Sequence, residues 1–227
     1  MTLAGSTVVV TGASRGIGHA IAIRMAELGA DVALWARDRE ALTRVAAQLP
    51  RARAFVVDVT DPAAVTRARD EVHAAMPPVR VLVNNAGAVL RKPTEAITND
   101  EWRHVIAVNL DGTFYVTRAF IPDLVATGGR VINIASRAGR EGTPLLAAYC
   151  AAKHGVVGLT RALAAELHAA KVSVNAICPG SVDTEMLRQG LPDASPDMTP
   201  DDIARTAQFL AHAAPRELTG TCIDVFG

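Results

Sequence analysis

Short aliphatic runs alternate along the chain with longer stretches in which apolar side chains recur every three or four positions. The short runs are Thr7–Val10, Val32–Trp35, Ala54–Val57, Val79–Val83, Arg130–Ala135, Val172–Ile177 and Cys222–Val225. They are rich in β-branched residues and too short for helices, so they read as strands. The longer stretches, near 17–28, 38–49, 62–76, 100–126, 146–170 and 201–213, carry the period of amphipathic helices. The strands are nearly continuous apolar runs rather than alternating ones, which predicts that both of their faces are covered. Strand–helix alternation from end to end predicts one α/β domain over residues 1–227, a doubly wound Rossmann-type sheet of about seven parallel strands with helices on both faces. The segment 181–199 is short, and the Pro-, Asp- and Ser-rich stretch Gly190–Pro200 reads as a mobile surface loop.

The first strand runs into Thr11-Gly12-Ala13-Ser14-Arg15-Gly16-Ile17-Gly18 and then an apolar helix. Three glycines let the backbone approach a ligand closely, and the helix N-terminus offers free N–H groups to a pyrophosphate. Their spacing, Gly-x-x-x-Gly-x-Gly, departs from the general Gly-x-Gly-x-x-Gly fingerprint. The same residues could form a tight turn with no ligand; their place after the first strand of a doubly wound pattern points to a dinucleotide. At the end of the second strand an acidic residue would hold the adenosine ribose of NAD, and an arginine would accommodate a 2′-phosphate. Ala36 and Arg37 stand there, and Arg15 can reach the same place, which favours NADP(H) with NAD(H) as the alternative. Both arginines could equally be solvated surface charges. Asp38 reads as the cap of the next helix.

Tyr149 and Lys153 stand four residues apart in a helical stretch, hence on one face. The chain has only two tyrosines and three lysines, so the pairing is uncommon. An ammonium beside a phenol favours the phenolate and lowers its pKa toward working pH, which makes the pair a proton-transfer device.

Half of the 227 residues are hydrophobic, enough for a substantial core, and 23 basic side chains balance 23 acidic ones. No net field points to nucleic acid or an anionic membrane. No apolar run approaches the roughly 20 residues of a membrane span, and the N-terminus lacks a basic signal-peptide region. Cys150, Cys178 and Cys222 are widely spaced in apolar or helical contexts and read as buried free thiols of a cytoplasmic protein. The histidines, at 19, 73, 104, 154, 168 and 212, have no metal-ligand spacing, so no metal is expected.

Assembled, these residues resemble the short-chain dehydrogenase/reductase family over nearly the whole chain, with similarity to 3-oxoacyl carrier-protein reductases. The Thr11–Gly18 turn matches the family's cofactor loop, and Asp58-Val59 match the pair that contacts adenine. Asn84-Asn85-Ala86-Gly87 match the segment after the fourth strand, while Pro179-Gly180, Val182 and Thr184 match the turn over the nicotinamide end. Asn109, Ser136, Tyr149 and Lys153 match the catalytic tetrad. The resemblance implies Tyr149 as general acid or base and Ser136 as donor to the substrate oxygen. It implies that Lys153 tunes Tyr149 and grips the nicotinamide ribose, and that Asn109 holds a water in a proton relay. Members with Ala-Arg after the second strand generally use NADP(H), and the expected assembly is a homodimer or homotetramer.

Two departures bear on the substrate. The 181–199 segment is shorter than the family's usual lid, which predicts a smaller or more open pocket lined by Met186 and Leu187 on one side and Leu145 and Leu146 on the other. The chain ends at Ile223-Asp224-Val225-Phe226-Gly227 without the family's usual acidic residue and two glycines. Arg91, Lys92, Arg137 and Arg140 flank the strand ends and could attract an acidic or carrier-bound substrate, or could simply be solvated. The expected activity is NADPH-linked interconversion of a ketone and a secondary alcohol. The alternatives are an NAD(H)-linked alcohol or polyol dehydrogenase and, more remotely, a non-catalytic dinucleotide sensor.

Overall fold

A computed structural model describes residues 2–227. The strands are β1 (Thr7–Thr11), β2 (Asp31–Ala36), β3 (Ala52–Val56), β4 (Val79–Asn84), β5 (Arg130–Ile134), β6 (Ser173–Pro179) and β7 (Cys222–Val225). They pair in parallel in the order β3-β2-β1-β4-β5-β6-β7. The helices are α1 (Gly16–Glu27), α2 (Arg39–Gln48), α3 (Pro62–Ala75), α4 (Asn99–Ile106), α5 (Gly112–Thr127), α6 (Ala147–Leu167), α7 (Glu185–Gly190) and α8 (Pro200–Gln208).

Alternate strand residues feed two cores. Val8 and Val10 of β1, with Val32 and Leu34 of β2, pack with Ile21 and Met25 of α1 and Ile203 of α8. Val9, Ala33 and Trp35 face the other way, toward Val65 of α3, Phe120 of α5 and Leu163 of α6. That is why the inner strands are apolar at every position. The edges differ: β3 is mostly exposed, and β7 is exposed or half-buried. An edge strand has one neighbour, so the uniform burial expected from the Ala54–Val57 run does not hold there.

Local chemistry explains the boundaries. Asp38 and Asp61 cap α2 and α3 by accepting from Ala41 N and Ala63 N, and Thr98 with Glu101 forms a capping box on α4. The stretch expected as one helix over 100–126 is interrupted by a π turn at Ala107–Asp111. In the 181–199 segment the chain forms α7, capped by Thr184, and Val182 bridges to Met198. The bridge ties the two ends of this strap together. Cys150 and Cys178 are buried as expected, whereas Cys222 on the edge strand is partly exposed. No helix among the described residues is long and apolar enough to cross a membrane.

Candidate active site

The strand order reverses between β1 and β4, and a cleft of about 1050 Å³ opens beyond the C-terminal ends of the strands. Such a switch point is where doubly wound sheets bind ligands. At one end the cleft is floored by the glycine turn. Gly12 and Gly16 adopt φ of 64° and 55°, a region that disfavours side chains. A Cβ on Gly18 would come within 2.3 Å of Gly12 O and 2.4 Å of Asn85 Nδ2, so Gly18 lets α1 start directly under the turn and is not itself in the wall. Asn85 braces the turn by donating from Nδ2 to Thr11 O (3.0 Å) and Gly12 O (3.1 Å), while Thr11 Oγ1 accepts from the Asn85 and Ala86 backbone N–H groups. A cradle this closely fitted, with Gly12, Ser14, Arg15, Gly16 and Ile17 in its wall, suits a dinucleotide pyrophosphate.

Arg37, Asp58, Val59, Asn85, Ala86 and Gly87 continue the wall. Desolvation works against the Asp58 carboxylate, but hydrogen bonds from Thr60 and the charge of Arg37 outweigh it and hold its pKa below the usual range. Arg15 is ion-paired with Glu185 of α7, so its charge is already engaged.

At the far end Ser136, Tyr149 and Lys153 meet in the wall with Pro179, Gly180, Val182, Thr184, Met186 and Leu187. Ser136 follows β5, its Oγ accepting from Ala138 N at 3.1 Å. Tyr149 and Lys153 sit on the first turns of α6 and are both buried. Lys153 Nζ donates to Ile134 O at 2.7 Å and lies 5.7 Å from the centre of the Tyr149 ring. Gly139 permits this packing, since a Cβ there would come within 2.7 Å of Lys153 O.

The electrostatics differ from the expectation. Burial pushes Tyr149 up to about 12, against the opposing hydrogen bond with Ser136, and burial brings Lys153 down to about 8. Lys153 is held at the Ile134 carbonyl near the ring face, and desolvation dominates both groups. In this environment the phenol keeps its proton at neutral pH.

Asn109 lies behind the cleft. It is fully buried in the π turn and absent from the cleft wall; its Nδ2 donates to Ala88 O and Val105 O, both at 2.8 Å. The carboxamide thereby ties the widened helix turn to the loop after β4. A Cβ on Gly87 would come within 2.9 Å of its Oδ1. Leu145 is likewise outside the wall: it has φ 66°, its side chain is exposed, and Leu146 lines the cleft instead. Val89, Gln189 and Leu191 are wall residues that sequence reasoning missed, the last two because they belong to the unforeseen α7 region. Of the four flanking cations, Lys92 pairs with Glu101, Arg137 with Glu141 and Arg140 with Asp224. Among the described residues no group of three or more potential metal ligands occurs.

A parallel sheet with a glycine cradle at its switch point and a buried Tyr–Lys pair with Ser136 beside it defines a dinucleotide-binding oxidoreductase architecture. The short chain dehydrogenase family pattern matches residues 6–194, and the chain belongs to that family. Its members bind nicotinamide dinucleotides and act on CH–OH and C=O groups. The chain is 41% identical to galactitol 2-dehydrogenase (L-tagatose-forming) of Cereibacter sphaeroides, over 99% of this chain and 95% of that one. Its fold is similar to that of the 3-ketoacyl-(acyl-carrier-protein) reductase of Brucella melitensis solved with NADH, with TM-score 0.94, 31% identity, and coverage of 100% and 98% of the two chains. It is also similar to a variant of actinorhodin polyketide ketoreductase solved with NADPH, with TM-score 0.92, 32% identity, and coverage of 98% and 96%.

Proposed function

We propose that the protein interconverts a ketone and a secondary alcohol, preferring NADP(H), with Tyr149 moving the proton. The observation that carries this reading is the convergence of Ser136, Tyr149 and Lys153 in one wall of the cleft whose other end is the glycine cradle. A bound nicotinamide would supply or accept the hydride. In the reducing direction Tyr149, protonated well above neutral pH, is the donor to the nascent alkoxide. Ser136 Oγ accepts from the Ala138 N–H, and its hydroxyl proton, shared with Tyr149, would turn to the carbonyl oxygen of a bound substrate. Lys153 commits one N–H to Ile134 O, leaving two for the ribose hydroxyls. With its pKa near 8 it also suits the return of a proton to Tyr149. Asn109 acts by holding the loop after β4 against the π turn between α4 and α5.

The NADP(H) preference rests on Arg37, which is exposed in the cleft wall without an acidic residue at the strand end before it. One observation favours NAD(H) instead: Glu185 already neutralises Arg15. NADPH and NADH oxidation across ketones tests both readings. Tyr149→Phe should lower kcat by about 10²–10⁴ with cofactor Kd nearly unchanged, and Arg37→Ala should weaken NADPH at least about tenfold more than NADH. Undiminished turnover in the first variant rejects the mechanism; equal losses in the second reject the cofactor assignment.

A further inference from the structure

We propose that the substrate is a small, uncharged ketone or secondary alcohol flanked by alkyl groups, and that the site selects against polyols and oxo acids. This rests on the reading of the cleft as a ketone–alcohol oxidoreductase site. Around Tyr149 the wall is mainly aliphatic, with the hydroxyls of Ser136 and Thr143 as its uncharged polar groups. Leu146 shares its packing cluster, and Val89 and Leu191 pack against that cluster. From above, Met186 of α7 brings its Sδ to 4.0 Å from the Tyr149 hydroxyl, and Leu187 follows it in the wall. A thioether is a weak acceptor, and the aliphatic side chains offer no hydrogen bond at all.

The roof is also low. A Cβ on Gly190 would come within 2.9 Å of Val89 Cγ2, so the end of α7 rests on the loop after β4. The catalytic end is thus walled by side chains from two sides.

Polar groups near this end are largely spoken for. Gln189 donates to Glu185 at 3.3 Å, and Arg188 pairs with Asp183 at 2.6 Å. Arg137 pairs with Glu141 at 2.7 Å and lies 4.9 Å from the centre of the Phe226 ring. A substrate carboxylate would have to take either guanidinium from its own carboxylate partner. Extra hydroxyls would lose water against Val89, Leu146, Met186 and Leu191, with only the Thr143 and Ser136 hydroxyls of that wall to replace it. An alkyl group loses nothing there and gains from leaving water.

The test compares kcat/KM for pentan-2-one, a ketopentose and 4-oxopentanoate, with cofactor binding followed separately by fluorescence titration. The wild-type protein should prefer pentan-2-one by about 10² over either polar ketone, the order by which an apolar pocket rejects a hydroxyl. Met186→Gln, which places an amide over the site, should shrink that ratio about tenfold. A wild-type ratio below about ten, or a ratio that Met186→Gln leaves unmoved, overturns the inference while the oxidoreductase reading stands. Cofactor binding without reduction of any of the three ketones would overturn the oxidoreductase reading, and this inference with it.

Discussion

Lys153→Met tests how the active site trades stability for chemistry. Lys153 is buried, and burial brings its pKa from an ordinary 10.5 to about 8. The folded state therefore binds fewer protons than the unfolded chain between those two values, and stability attributable to this group rises with pH across that window. The benefit is full above the unfolded pKa and is lost as pH falls through 8. At pH 7 the native state carries a penalty of about 3 kcal/mol, from about 1.4 kcal/mol per pKa unit. Methionine removes the charge and keeps most of the volume, but leaves the Ile134 carbonyl without its 2.7 Å donor. That loss costs about 1–3 kcal/mol, so the net change at pH 7 falls between neutral and about 2 kcal/mol of stabilisation. The clean readout is the pH dependence. Urea unfolding of both proteins from pH 6.5 to 10 should show the variant's relative stability falling by about 2–3 kcal/mol, while every other titration cancels in the difference. A flat difference, or a variant that gains relative stability as pH rises, would refute the account of a desolvated ammonium. Catalysis should be lost at every pH.

Three further outcomes follow from the geometry. Gly18→Ala should weaken cofactor binding at least tenfold and cost about 1–3 kcal/mol by overpacking, because its Cβ would meet Gly12 O at 2.3 Å. Gly158→Ala, with open space on the exposed side of α6, should instead stabilise by about 0.5–1 kcal/mol; calorimetry on the pair would expose an error if both shift melting alike. Glu185→Gln frees Arg15 and should tighten NADPH roughly two- to fivefold relative to NADH, the range of an exposed ion pair; parallel changes in both dissociation constants would show that Arg15 does not read the 2′-phosphate. Gly190→Val must lift α7 from Val89, where even a Cβ would approach to 2.9 Å, so KM for the ketone should rise with cofactor affinity intact, and an unchanged KM would mean that α7 does not roof the substrate.

The sheet, its helices and the glycine cradle were legible in the sequence because each depends on local order. Runs such as Val32–Trp35 are buried by neighbours on both faces, and Asp38 caps the helix that begins beside it. Tyr149 and Lys153 share a helix face at any tertiary arrangement, so their association was also readable. Their proton affinities were not. Those depend on how completely other segments exclude water, and that exclusion reverses the expected direction for Tyr149. Asn109 shows the same division: its place in the helix was apparent, but only packing against Ala88 and Val105 turned its amide inward. Helix α7 has six residues, too few to display a period, and its segment is held by contacts to Gly16, Arg15 and Val89 from distant parts of the chain. The sequence by itself determined the fold, the glycine cradle and the pairing of Tyr149 with Lys153 on one helix face, since local spacing and strand order suffice for these. The tertiary structure alone decided which side chains reach the cleft, how burial sets their charges and what roofs the substrate, because desolvation and shape belong to the assembled chain.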